Sequence, residues 1–334
     1  MVQQIQDFVL TFSSILWEAL PFIVLGAVVA GFLEELLPQQ LITRFLPRHA
    51  VPAVVIGGLL GLVFPMCECG IVVVMRRLLR KGLPLSCCVA YMLAGPILNV
   101  IVLLSTYVAF DLHGYAWQMI GFRAGLGFLV ACLTGLAVHA VEQKHGVKAL
   151  LKPLALPPAA KGLKMAGDEE EEKAERKSVW TRISNISETA LHDFIDITVF
   201  LILGAILAAV AKMYITPDEI ARLSADQPML AIPAMMGLAV LMCLCSEADA
   251  FVAASFTEMT FAAKLSFLVL GPMLDLKLLM MYTRVFRPRL IAVIVTCVVT
   301  QVLAYTMIVH FAGVNPQSAL SRSGTPAPVA TQGK

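Results

Sequence analysis

One phrase occurs twice in this chain at a fixed spacing. Cys67-Glu68-Cys69 is followed, after twenty-five residues, by Gly95-Pro96-Ile97-Leu98-Asn99. Cys243-Leu244-Cys245 is followed, after the same twenty-five residues, by Gly271-Pro272-Met273-Leu274-Asp275. Both copies lie in apolar surroundings. A duplicated half that carries polar groups at matching depths is how many membrane transporters build a site between their repeats. The repeat thus constrains the fold more than any single residue does.

The surroundings decide the solvent. Apolar residues make up 59% of the chain and charged residues 14%, and mean hydropathy is +0.82. Soluble domains are about half apolar and a quarter charged. Several apolar runs reach the roughly 20 residues that cross a bilayer, and they are continuous rather than alternating, which indicates helices and not a barrel. The expected fold is all-α, a polytopic helical membrane protein of about eight spans in two homologous four-span halves. The spans are Phe8–Leu37, Ala50–Met75, Leu83–Phe110, Tyr115–Val141, Phe194–Tyr214, Pro228–Phe256, Lys264–Tyr282 and Leu290–Phe311. Residues 1–141 form the first repeat and 194–312 the second. Residues 142–193 read as a polar cytoplasmic linker, largely disordered, with an acidic run from Asp168 to Glu172. Residues 313–334 read as a disordered tail. The N-terminus lacks a basic region before the first span, which is expected to act as an uncleaved anchor.

Orientation follows from basic loops. Arg76, Arg77, Arg80 and Lys81 follow span two, and the linker after span four is Lys-rich, so that side is expected in the cytoplasm. With four crossings per half the halves run parallel. One loop disagrees: Arg284, Arg287 and Arg289, between spans seven and eight, then face outward. A re-entrant segment with inverted halves is the other solution.

Spans two and six are expected to be broken, at Pro65 to Gly70 and at Cys245-Ser246-Glu247-Ala248-Asp249. Non-helical backbone at membrane depth survives only when buried in protein or lining a wet cavity. Spans three and seven carry Gly-Pro at matching places and should be kinked. A charge at mid-bilayer costs about 2.5–3.5 kcal/mol on insertion scales, so each needs a reason. Glu68, Glu247 and Asp249 are the deepest acids and the first candidates for a functional cavity. Asn99 aligns with Asp275. Lys277 either contacts Asp275 or snorkels. Glu18 aligns with Asp196; both lie near span starts and are either interfacial or part of the site. Arg123, aligned with Gln301, is a candidate counter-charge for the acids.

Cysteine lies only in apolar segments, so no extracellular disulfide framework is expected. Cys67, Cys69, Cys243 and Cys245 are either small packing residues or soft ligands for a transported thiophilic ion. Cys-x-Cys on a regular helix splays its sulfurs by about 200°, so only an unwound segment or one sulfur from each repeat converges. Cys87, Cys88, Cys132 and Cys297 read as packing residues. His192 and Asp196 are one helical turn apart. No zinc-protease, nucleotide-loop or serine-nucleophile motif is present, no basic stripe suits nucleic acid, and no cofactor is expected.

At these motifs the chain resembles the predicted permeases of the DUF318 or YraQ family, to which the ArsP-type organoarsenical efflux permeases belong. The residues that carry it are Pro65 to Ile71, Arg76 to Gly82 and Ala94 to Asn99, then Cys245 to Ala253 and Gly271 to Lys277. The resemblance implies a bacterial inner-membrane permease, often beside a second small membrane subunit. The expected activity is secondary transport rather than enzymatic catalysis, by alternating access coupled to protons or ions. The expected solute is a small thiophilic metal, metalloid or organoarsenical. Substrate or ion contacts are expected from Cys67, Glu68, Cys69, Asn99, Cys243, Cys245, Glu247, Asp249, Asp275 and Lys277. The partners are lipid, the solute and the second subunit. Two alternatives remain: a membrane thiol–disulfide protein, and a non-transporting scaffold subunit.

Overall fold

A computed structural model describes residues 2–36, 49–63, 66–153, 155, 191, 194–195, 198–210, 228–257 and 259–313. Asp196, His192, Pro65, the acidic run at 168–172 and the tail from 314 lie outside the described residues. Among the described residues the regular structure is helical, with one isolated bridge between Leu151 and Phe286. The first half holds α1 (Val2–Leu36), α2 (Ala50–Val63), α3 (Glu68–Arg80), α4 (Leu85–Leu98), α5 (Val100–Asp111), α6 (Ala116–His145) and the short α7 (Val147–Leu150). The second holds α8 (Thr198–Val210), α9 (Pro228–Met242), α10 (Ala248–Ser255), α11 (Phe261–Leu270), α12 (Leu276–Val285) and α13 (Pro288–Phe311). Among the described residues, four stretches are long and apolar enough to cross a membrane: Phe8–Gly26, Leu85–Asp111, Ala116–His145 and Pro288–Phe311. The protein is a multi-pass helical membrane protein.

The run expected to cross as span two folds back on itself. Gly57 abuts the Cys87 carbonyl, and Gly61 meets Gly95, so α2 and α4 run in the same direction. Ile71, at the start of α3, also packs on Gly95, while the end of α3 joins α4 through the tight turn at Lys81–Pro84. Hence α3 runs against α4, and against α2. The hairpin tip is Met66 to Glu68. The second half repeats this around α11: Ser266 on α11 donates to the Ile232 carbonyl on α9 (3.4 Å), and Gly271 at the end of α11 packs on Asp249 at the start of α10. Leu85–Asp111 crosses as one span broken at Asn99, about 21 Å from its start at 1.5 Å per residue. α6 runs back along all of it, with Gly135 against Ser86 and Gly127 against Ile97.

These helix directions favour the other solution, inverted halves, over parallel ones. α6 and α13 lie side by side, joined by Gln301 donating to Thr134 (3.3 Å). The start of α11 meets the start of α6, where Lys264 donates to Tyr115 (3.2 Å) and Phe261 packs edge-on against Tyr115 and Phe122. The end of α6 leads through α7 to the α12–α13 turn: Lys152 N–H donates to the Val285 carbonyl (3.0 Å) and Arg287 N–H to the Leu150 carbonyl (2.9 Å). So α4 starts at the face where α6 ends, and α11 starts at the opposite face. Each hairpin brings the chain back to the end of the bundle from which it set out. The basic turn Arg76–Lys81 and the basic turn Arg284–Arg289 then share a face, and the conflict with the positive-inside rule disappears. The first residues of the linker, through Leu151, are folded against this same turn.

The halves interlock crosswise: α3 packs on α12, and α5 packs on α10. Close approach depends on glycine at two contacts. A Cβ at Gly61 would lie 2.5 Å from Gly95 Cα, and one at Gly204 on α8 would lie 2.6 Å from Lys277 Cα. Gly61→Val should therefore lower the melting temperature in detergent by an amount equivalent to about 1–3 kcal/mol. Gly121→Val, whose Cβ meets nothing within 4 Å, should leave it unchanged.

Candidate functional site

The two hairpin tips meet. Cys67 caps α3 in an extended conformation, and residues 243–245 are non-helical between α9 and the turn that begins α10. Cys243 has φ +50, the left-handed region, and is the one non-glycine with positive φ among the described residues. Such strain costs about 1–3 kcal/mol and persists only where neighbours enforce it. Here it accompanies a use for the carbonyls. Lys277, on the first turn of α12, donates to the Cys243 carbonyl (3.1 Å) and the Leu244 carbonyl (3.3 Å). The same ammonium donates to Glu68 Oε1 at 3.0 Å and lies 3.4 Å from Asp275 Oδ2. Glu68 Oε2 accepts from Ser246 Oγ (3.1 Å). Glu68 and Lys277 are each 1% exposed. An ion pair buried this deeply is worth keeping only when its remaining lone pairs and protons are also satisfied, as they are here.

A second layer surrounds Arg123 of α6. Its guanidinium, fully buried, donates to Thr106 Oγ1 on α5 (2.7 Å) and to the Ser246 carbonyl (3.0 Å). Asp249, Glu247 and Glu68 lie in its field. Asp249 is buried against Gly271, and among the described residues Asp249 Oδ2 and Glu247 Oε1 have no hydrogen-bond partner. The cluster thus sets four carboxylates, Glu68, Glu247, Asp249 and Asp275, against two cations, Arg123 and Lys277. Within it, acids outnumber cations by two, and a dry carboxylate left in that position is neutralised by a proton or by a bound cation.

Asn99 and Asp275 do the same job in the two halves. Asn99 accepts from Ile101 N–H (3.0 Å) and Asp275 from Leu278 N–H (2.6 Å), so each caps the second part of a broken span. Among the described residues, no hydrogen bond brings Asn99 to the ion pair. Glu18, half-buried on α1, lies in the field of Glu247 and Cys245. All eight cysteines are free; Cys67 caps α3 in an extended conformation and Cys69 lies in its first turn, both buried. Cys245 lies within electrostatic reach of Lys277 and Glu68. Among the described residues no three His, Cys, Asp or Glu side chains form a metal-ligand group. The four thiols do not form a ready-made tetrahedral site.

Sequence reasoning anticipated unwound carbonyls at the site but missed Ser246 and Thr106. Ser246 stands beside Cys245 in the expected break, which was a usable signal; Thr106 carries none. A facing stripe also runs from the pair toward the basic face: Glu68, Val72 and Arg76 on α3 against Lys277, Met281 and Val285 on α12, each four residues apart. Its lower end opens as a cleft lined by Val72, Arg76, Phe200, Met281, Arg284 and Val285.

The model of the predicted permease family ArsP_1 matches residues 4–311. UPF0718 protein YcgR of Bacillus subtilis (strain 168) is 34% identical over 302 residues, covering 89% of this chain and 95% of its own. A Streptococcus mutans protein with the provisional name of a two-component membrane permease complex subunit is 33% identical over 300 residues, covering 89% and 93%. No solved structure matches. These relatives point to a transporter rather than an enzyme, and the chain, matched over nearly its whole membrane part, belongs to this predicted permease family.

Proposed function

We propose that the protein is a secondary transporter of a bacterial inner membrane. Two inverted repeats enclose one site at the meeting of their hairpin tips. The observation that carries the reading is the Glu68–Lys277 pair, in which an acid of one tip is held by a lysine of the other half together with the opposite tip's carbonyls. An interface held by a few polar contacts between two bodies can open on one side and then the other as the bodies rock. In this reading the closed packing of the two tips corresponds to an occluded arrangement. The stripe between α3 and α12 is the route toward the basic, cytoplasmic face, with the Arg76–Arg284 cleft at its mouth.

The solute is small and thiophilic: a metal, a metalloid or an organoarsenical. Cys67, Cys69, Cys243 and Cys245 are all free and buried at the two tips, and soft ions choose sulfur. Asp249 and Glu247, the acids in excess over the two cations, carry the coupling protons or ions. A second membrane subunit is a fitting partner, given what the Streptococcus mutans relative is named for.

The test is flux by purified protein in liposomes, with trivalent arsenite, antimonite and a phenylarsenical as solutes. Wild type should move at least one of them. Cys67→Ser/Cys69→Ser should abolish that flux while melting as wild type does. A wild type that moves none would remove the thiophilic reading, and a double-serine variant that transports normally would remove the thiols from the site.

A further inference from the structure

The Lys277 ammonium occupies a cage of oxygens. Glu68 Oε1, Asp275 Oδ2 and the carbonyls of Cys243 and Leu244 surround it at 3.0, 3.4, 3.1 and 3.3 Å. Carbonyls of an unwound segment are donors with which broken-helix transporters hold a free monovalent cation, and two carboxylates here supply the balancing charge. Lys277 enters from the first turn of α12, and its Cα is pinned against Gly204 of α8, so the side chain has a fixed root. The sequence-equivalent position in the first half is Ile101, and that of Glu68 is Leu244, so the cage exists once.

We propose that this cage is a monovalent-cation site whose cation is covalently tethered: the lysine takes the place that a potassium, sodium or ammonium ion would otherwise fill. Two consequences follow. Wild-type protein needs no free alkali cation in this cage, for folding or for flux. Removing the side chain leaves the oxygens without a counter-charge, and the vacancy draws in a free cation. The inference deepens the reading of the tip-to-tip contact as the transport site and rests on it only for the statement about flux; the binding itself is measured without transport.

The experiment is thermal unfolding of detergent-purified Lys277→Ala in ammonium, potassium or sodium chloride against choline chloride at equal ionic strength. The expected result is a rise in melting temperature of about 2–4 °C with at least one small cation, saturating with concentration. Wild type should show no such difference. Asp275→Asn/Lys277→Ala is the second variant. It keeps the helix cap in the form Asn99 uses in the other half, and one carboxylate remains to balance one cation, so it should fold even if the single variant does not. It should respond in the same way, and adding Glu68→Gln should abolish the response. Melting that is indifferent to the cation in both variants overturns the proposal, as does a wild type that responds as strongly as they do. Failure here leaves the permease reading intact, because a lysine can be a structural partner in a working transporter. A cation response without any solute flux leaves the tethered site standing and removes the transport reading instead.

Discussion

Lys277→Met lowers the stability of the purified protein by about 3–5 kcal/mol, because it leaves the buried Glu68 carboxylate without its partner. Adding Glu68→Gln recovers most of that loss, since an amide and a thioether need no counter-charge. Ser246, which donates to the Glu68 carboxylate, can donate to the amide oxygen that replaces it. The recovered double variant nevertheless transports nothing, because the contact that holds and releases the two tips is gone. Unfolding in detergent gives the first quantity and liposome flux the second. Equal losses in the single and double variants would show that Lys277 stabilises the protein by packing rather than by charge. Full flux in the double variant would show that the pair is structural only.

Arg123→Leu has the second large effect. The guanidinium joins α5, α6 and the second hairpin tip through Thr106 and the Ser246 carbonyl, and it is the principal counter-charge of Asp249. Its removal orphans a buried acid and two hydrogen-bonding groups. A loss of about 3–5 kcal/mol is expected. Arg123→Leu/Asp249→Asn should be clearly more stable than Arg123→Leu alone. A double variant no better than the single one would separate Arg123 from Asp249 and place its role at Ser246.

What the sequence shows of this fold and what it conceals have physical causes. The breaks at both Cys-x-Cys units were legible, because polar residues and proline in an apolar run have few other uses. The caps at Asn99 and Asp275 were legible only as an alignment; their geometry needed the chain to kink. The direction of the second apolar run was not legible. Hydropathy has no sign along the chain, so Ala50–Met75 reads alike whether it crosses once or folds back at residue 66. Counting it as a crossing changed the parity of the half and turned the second half over. The basic residues Arg284, Arg287 and Arg289 carried the correction, as the one loop that parallel halves could not place. Glu68 and Lys277 stand 209 residues apart, and neither has a charged equivalent in the other repeat, so periodicity could not pair them. Lys277 was legible as a neighbour of Asp275, and it is one, at 3.4 Å. Arg123 was legible as a counter-charge because a guanidinium deep in an apolar span has few alternatives.

Everything at the site depends on the hairpins returning to the face they left, since only then do the two tips meet. Single cysteines at Arg80, Arg289 and Leu112 test this directly, with a membrane-impermeant maleimide on intact cells and on inverted vesicles. The native thiols other than Cys297 are buried and supply a low background. Arg80→Cys and Arg289→Cys should both react in inverted vesicles and not in intact cells, and Leu112→Cys should do the reverse. Labelling of Arg80→Cys and Arg289→Cys from opposite sides of the membrane would contradict the account.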